Sequence, residues 1–362
     1  MKTISTEIST AVKAAIGIID PPYPLQIIST SDSAHFSSRV VENVPGFGAL
    51  RIKMVAPSLV QEFLPHRLIS ALITEDQMTR AANQGVESHG VCILLLEADG
   101  RPKLHWLPTF EKSSQICIVY GFRKDMKSLS EILDIGAGEH LTNTERILLE
   151  KSATALHHFH SRKPLSGRQK KASDLYNMSL SHLMAFAGEF AIRERKSTFL
   201  TNQKIERLTI LILRTLQKWL NRGDRVGAPT GDLQFNHILI GSEDEVVFMD
   251  LSRFRWGEAR GFDIGWLMCE SMWEWLRTGK KRIKRIACTF LKAYENASED
   301  SELRKALLVG FGIKALVLLQ IHGQRRRKCS PVDERSRMSK ETATVFYRKT
   351  VHMLTVGRYS WG

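Results

Sequence analysis

The sequence predicts an α+β fold in two parts, a strand-rich front and a mainly helical back. Three observations carry this. Alternating apolar patterning and hairpin signals fall in the front part, residues 1–121. Apolar residues recur at helical spacing through most of residues 122–362. The helical part is broken once, by a polar loop and a hairpin: Thr230-Gly231-Asp232-Leu233-Gln234-Phe235-Asn236-His237-Ile238-Leu239-Ile240, then Val246-Val247-Phe248-Met249-Asp250.

The elements follow in order. Leu25–Ile28 and Ser38–Val41 read as short strands. Ala49–Val55 alternates apolar and polar residues, with Arg51 and Lys53 on the polar face. Thr74-Glu75-Asp76 opens a helix that runs to Gln84 and stops at Gly85. Val91–Glu97 and Lys103–Leu107 flank Ala98-Asp99-Gly100-Arg101, whose Asp-Gly step favours a tight hairpin turn. Gln115–Tyr120 is a further apolar strand. Ser128 caps a short helix through Leu133, and Thr144 begins a longer one ending near His160. Helices follow over Leu175–Arg195 and Ile205–Trp219. Beyond the hairpin come helices near Phe262–Thr278, Arg282–Asn296, Leu303–Gly323 and Ser339–Val356.

Composition bounds the function. With 362 residues the chain can bury a sizeable core, and its 43% hydrophobic and 25% charged content are those of a soluble protein. Its 5 cysteines are scattered without a Cys-x-x-Cys pair, which speaks against a disulfide framework or structural zinc and for a reducing, cytoplasmic compartment. The N-terminal segment lacks the apolar run of a signal peptide. The stretch Ala306–Ile321 is interrupted by Lys314 and too short to span a bilayer, so it reads as a buried helix.

The net charge is +14, concentrated in Lys280-Lys281-Arg282-Ile283-Lys284-Arg285 and Arg325-Arg326-Arg327-Lys328. Either run suits nucleic acid, anionic lipid or a phosphorylated partner, or is simply a solvated helix face. Neither carries an interleaved aromatic residue, which weakens a single-strand nucleic-acid reading. His157-His158-Phe159-His160 reads as the polar end of a helix rather than a metal cluster, since no nearby carboxylate or cysteine completes a site. Trp266 and Trp273 share a helix face and read as core.

The chemistry lies in the hairpin region. Two acids at loop and strand ends, Asp232 and Asp250, suit metal-dependent phosphoryl transfer, in which one carboxylate orients a hydroxyl and the other holds the cation bridging the phosphates. With the order of elements, these residues resemble the protein-kinase-like superfamily and, within it, the aminoglycoside phosphotransferases. The agreement is tight over Thr230–Asp263. Gly231-Asp232, the strand Ile238–Ile240, Met249-Asp250 and Asp263 all match the family pattern.

The resemblance implies a bilobal fold, with an N-lobe over residues 1–121 and a helical C-lobe over 122–362. It implies ATP with magnesium or manganese as cofactors and a small-molecule hydroxyl as acceptor. It makes Asp232 the catalytic base, Asp250 a metal ligand, Lys53 the phosphate contact and Glu75 its ion-pair partner. Gln115–Phe122, with Tyr120 and Phe122, becomes the strand whose backbone meets the adenine. Asp263 braces the Asp232 loop, or caps the helix it precedes.

Three departures qualify the match. Thr230 replaces the motif histidine. His237 stands where the pattern has a metal-binding asparagine, with Asn236 one place early. Histidine at this place also occurs in lipopolysaccharide core kinases, which resemble this chain in Asp250-Leu251-Ser252-Arg253. Either His237 or Asn236 then meets the metal, or that contact is lost. Third, the phosphate-loop candidate Ser29–His35 has no glycine; Ser31 and Ser33 offer hydroxyls instead. Gly46-Phe47-Gly48 is half of a Gly-x-Gly-x-x-Gly pattern.

The leading expectation is therefore an ATP-dependent phosphotransferase acting on a small molecule such as a sugar, an antibiotic or a peptide metabolite. The positive charge favours a neutral or anionic acceptor over a polycation. The alternatives are a catalytically degenerate kinase-like accessory factor in a biosynthetic or resistance pathway, and a nucleic-acid-associated protein.

Overall fold

The structure is a computed structural model that describes residues 6–15, 26–32, 36–55, 88–96, 102–106, 115–121, 125–134, 137–161, 201–220, 226–227, 230–249, 258–259, 261–323 and 339–361. The expected helices at 74–84 and 175–195, the turn at 98–101 and the basic run at 325–328 lie outside the described residues. The chain divides into two compact units, one formed by 1–127 with 239–254, the other by 128–238 with 255–362.

The first unit is built on a six-stranded antiparallel sheet. Helix α1 (Thr6–Ala15) precedes strands β1 (Gln26–Asp32), β2 (Phe36–Val44), β3 (Gly48–Val55), β4 (Ser88–Leu96), β5 (Pro102–Trp106) and β6 (Gln115–Gly121). Their spatial order is β1-β2-β3-β6-β4-β5, so β6 inserts between β3 and β4. The alternation in β3 does what its pattern requires. Leu50, Ile52 and Met54 are buried, whereas Arg51 and Lys53 are half-buried on the opposite face.

Helix α1 covers the apolar face, packing Ile8, Ala11, Val12 and Ala15 against a cluster that includes Val41, Val44, Leu50 and Ile52. The β2–β3 turn closes with Phe47 N–H donating to the Val44 carbonyl at 3.0 Å. Gly46 and Gly48 flank Phe47 at φ +76° and +69°, backbone that side-chain-bearing residues rarely adopt. Gly46-Phe47-Gly48 is thus explained by the hairpin turn.

The segment Ser29–Asp32, expected as a loop, is strand. Its residues pair with Ser37–Val40 of β2 in an antiparallel ladder with one bulge. Its hydroxyl-rich composition hid a register supplied by β2.

The second unit is helical. It contains α2 (Leu129–Ile132), α3 (Asn143–His160), α4 (Asn202–Leu220), α5 (Gly261–Thr278), α6 (Lys281–Ser298), α7 (Leu303–Gly323) and α8 (Lys340–Val356). Ser128 caps α2 as expected, and a complete capping box with Glu131 fixes its start. Helix α3 starts at Asn143, one residue before Thr144, with Thr142 as its cap, because Glu145 sits three residues after Thr142 and accepts its backbone N–H at 2.7 Å. Helix α7 is apolar on all sides and packs against α4, α5 and α8, as the sequence suggested for a buried helix. Among the described residues, no helix is long and apolar enough to cross a membrane.

Arg282 corrects the reading of the first basic run as a uniform solvated face. Lys280 and Lys281 are exposed, but Arg282 is buried. Its guanidinium donates to the carbonyls of Leu133, Asp134, Gly138 and His140 and pairs with Glu145. One cation thus closes the loop between α2 and α3, where it satisfies four carbonyls.

Helices α5 and α7 cross at close range. A Cβ on Gly265 would collide with the Leu307 carbonyl oxygen, and one on Gly310 with the Phe262 carbonyl oxygen. Gly261 faces the Ala306–Leu307 backbone in the same way. The glycines bring the two backbones together and fix which α7 residues face α5. Gly265→Val is expected to destabilise the protein by about 3 kcal/mol, a fall of roughly 6–12 °C in Tm. Thermal unfolding followed by circular dichroism checks this.

Candidate active site

The loop before the hairpin is held from beneath by one buried carboxylate. Asp263, in the first turn of α5, is fully buried. It accepts the Thr230 N–H at 2.5 Å on Oδ2 and the Gly231 N–H at 2.9 Å on Oδ1. Gly231 has φ +85°, left-handed backbone that lets two successive amides converge on a single carboxylate. His160, also fully buried, donates from Nε2 to Asp263 Oδ2 at 3.0 Å. The Tyr294 hydroxyl lies 2.7 Å from His160 Nδ1. Of the two sequence readings of Asp263, bracing of the loop is the one its contacts display.

His160 was missed as a functional neighbour. In sequence it closes a cluster of histidines at a helix end. In space it is the third donor to a buried carboxylate, a role set by a residue 103 positions away.

Asp232 follows the anchored amides and is partly exposed. Its Oδ1 accepts the Trp266 indole N–H at 2.8 Å and the Gln234 amide at 3.3 Å. Lys314 Nζ, from α7, lies 3.9 Å from the same oxygen. Trp266 is buried as expected of core, yet its polar edge reaches the candidate base.

Lys314 is the other residue the sequence reading passed over, noted there only as an interruption of an apolar run. Its side chain is 8% exposed. The ammonium pairs with Glu270 and sits 4.3 Å from the Trp266 ring centroid. It lies one turn beyond Gly310, so the glycine-mediated crossing of α5 and α7 delivers it to this position. Burial pushes the Glu270 carboxyl up from the usual carboxylate range, against the attraction of Lys314.

His237 folds back on the loop, with Nδ1 2.8 Å from the Asp232 carbonyl oxygen. A carbonyl only accepts, so Nδ1 carries the proton and a neutral ring has its lone pair on Nε2. Metal-binding histidines are commonly oriented in this way, with one nitrogen donating to a carbonyl and the other turned to the ion. Asn236 is exposed and lines an adjacent pocket. The pocket has a volume of about 180 Å³ and is also lined by Gln234, Phe235 and Glu270. Phe235 anchors the loop edge-on against Phe290, with ring centroids 5.5 Å apart.

The remaining candidates belong to the first unit. Lys53 is half-buried on β3, opposite Ser38 of β2 and Ile118 of β6. Ser31 lies in β1 opposite Ser38, and Tyr120 lies in β6 opposite Arg51. Glu75, Ser33, Phe122 and Asp250 lie outside the described residues. So does the Leu251–Arg253 segment that follows Asp250. The hairpin strands leading to Asp250, β7 (Ile238–Ile240) and β8 (Val246–Phe248), are neighbours in a sheet, and Gly241 N–H donates to the Glu245 carbonyl at 3.0 Å.

No protein-family model and no curated protein sequence matches the chain. Solved structures do match. An aminoglycoside phosphotransferase, APH(4)-Ia, aligns with a TM-score of 0.55 at 10% identity, over 98% of this chain and 99% of that one. An ethanolamine kinase of Plasmodium vivax aligns with a TM-score of 0.53 at 11% identity, over 93% of this chain and 87% of that one. An aminoglycoside-3'-phosphotransferase of type VIII aligns with a TM-score of 0.50 at 12% identity, over 86% of this chain and 100% of that one. A thermostable mutant of APH(4)-Ia in a ternary complex with AMP-PNP and hygromycin B matches with a TM-score of 0.54 at 11% identity. The chain therefore shares the α+β fold of these phosphotransferase and kinase structures.

The Lys314–Glu270 pair is open to a direct test. Lys314→Met leaves the Glu270 carboxyl without its cation and is expected to cost about 3 kcal/mol in denaturant titration. Adding Glu270→Gln is expected to restore most of that loss, since it removes the stranded charge. Additive losses would mean the pair is not coupled.

Proposed function

We propose that the protein is an ATP-dependent phosphotransferase that phosphorylates a hydroxyl of a small molecule, with Asp232 as its catalytic base. The observation that supports this most strongly is the loop itself. Two backbone amides are tied to a buried carboxylate, and the next side chain, Asp232, is held by an indole N–H. Such fixed placement is what a group that must orient a nucleophile requires. The fold shared with phosphotransferases supports the class, and the nucleotide bound in one of those structures supports ATP.

In the reaction, the acceptor oxygen attacks the γ-phosphorus of ATP as the bond to the β–γ bridging oxygen breaks. The phosphorylated acceptor and ADP are the products. Asp232 holds the acceptor O–H toward the phosphorus and takes its proton, which then passes to solvent. Trp266 and Gln234 keep the Asp232 carboxylate in one orientation, and Lys314, paired with Glu270, lies 3.9 Å from it.

Lys53 contacts the phosphates and Glu75 holds Lys53. Ser31 and Ser33 offer hydroxyls to the phosphates, and the backbone of Tyr120–Phe122 meets the adenine. The metal candidates are the Asp250 carboxylate and His237 Nε2, and manganese tolerates an imidazole better than magnesium does. Bound there, the cation would neutralise charge on the phosphates. Asn236 is the alternative metal candidate, and it also lines the pocket of about 180 Å³. The scattered cysteines, of which Cys269 and Cys288 are free, fit a cytoplasmic location.

The competing reading, a kinase-like accessory factor without turnover, draws on His237 standing where the family pattern has asparagine. One pair of variants separates the two. Asp232→Asn is expected to lower ATP-dependent phosphorylation by about 10²–10⁴-fold, while ATP still raises Tm in the presence of manganese. Asp250→Ala is expected to abolish the metal-dependent part of that Tm shift. Wild-type protein that gains no stability from ATP with either cation would favour the accessory reading.

A further inference from the structure

The pocket beside Asp232 has a wall whose chemistry narrows the acceptor. Much of its lining is apolar: Leu133, Phe235, Leu267, Ile283 and Ile286. The lining also carries two acids, Glu270 and Glu274. At first sight these suit a cationic acceptor. Each, however, already has an internal cation. Arg277 donates to Glu274 with its Nε, at 2.8 Å, and with its Nη2, making a two-point ion pair. Glu270 pairs with the buried Lys314.

The lining thus holds two carboxylates, each paired with a cation, Arg277 or Lys314, that does not itself line the pocket. A cation entering the pocket loses its water and finds both lining carboxylates already paired. An anion meets two carboxylate groups on the wall. The hydrogen-bonding groups that remain, the amides of Gln234 and Asn236 and the hydroxyls of Ser130 and Ser271, are neutral, and the Gln234 amide also touches Asp232. A volume of about 180 Å³ matches one compact ring or branched body, since a cavity of about 150 Å³ accepts benzene.

We propose that this pocket is the acceptor site for an uncharged alcohol with a compact apolar body, its hydroxyl directed past Gln234 toward Asp232. The proposal rests on the phosphotransferase reading and makes it more specific. Paired internal cations set the selectivity: Lys314 and Arg277 occupy the acids that would otherwise recruit an amine or a quaternary ammonium. The raised ionisation range of Glu270 acts in the same direction, because it further lowers the negative charge of the wall.

Two isosteric probes isolate charge from shape. Choline carries a quaternary nitrogen; neohexyl alcohol has carbon in its place and is otherwise the same. Binding of each to the full chain is followed by ligand-observed NMR without nucleotide. Neohexyl alcohol is expected to bind at least about tenfold more tightly than choline, equivalent to about 1.4 kcal/mol. Arg277→Gln, a change at a partly exposed position, frees Glu274 and is expected to improve choline binding several-fold and leave neohexyl alcohol nearly unchanged.

Choline binding as tight as neohexyl alcohol, no binding of either probe, or no response to Arg277→Gln would overturn the proposal. Binding of ATP with manganese, measured separately, reports on the phosphotransferase reading alone. Failure there with the alcohol ranking intact would remove the reaction and keep the pocket.

Discussion

The local structure around Asp232 depends on the set of hydrogen bonds made by the buried carboxylate of Asp263. A carboxylate withdrawn from water is costly unless its oxygens are met by donors. Here they are met by the amides of Thr230 and Gly231 and by His160. The same bonds that make burial tolerable fix the path of the loop. Asp232 is the next residue, so its direction follows from this anchoring. Gly231 is needed because only left-handed backbone turns both amides inward.

A second dependence runs through the helix crossing. Gly265 and Gly310 let α5 and α7 approach until their backbones touch. Trp266 lies next to one glycine and Lys314 one turn beyond the other. The indole N–H and the ammonium reach Asp232 because of that approach. Wider spacing would leave Lys314 as a buried cation without partners, which a core does not tolerate. Packing and chemistry in this unit therefore rest on the same few residues.

Local signals were legible in the sequence and distant pairings were not. The cap at Ser128, the strand alternation around Lys53 and the hairpin after Asp232 depend on neighbours within a few positions, and each appears as read. The start of α3 slipped by one residue because two threonines, Thr142 and Thr144, competed and only the glutamate spacing decides between them. Ser29–Asp32 was misread because its strand character comes from pairing with β2, not from its own composition. His160, Lys314 and Arg282 carry the same lesson. Each looked like a helix-end polar group, a blemish in an apolar run or one charge among several. Their roles come from partners more than a hundred residues away for His160 and Arg282, and from a helix crossing for Lys314.

Amide hydrogen exchange over Thr230–His237, in wild type and in Asp263→Asn, tests the anchoring of the loop most directly. Replacing one carboxylate oxygen by an amide group removes an acceptor and sets a donor against a donor. The account predicts that the Thr230 and Gly231 amides exchange only by rare, near-global opening in wild type and by local opening in the variant, while α6 and α7 keep their protection. Unchanged protection of those two amides in a folded Asp263→Asn protein would contradict it.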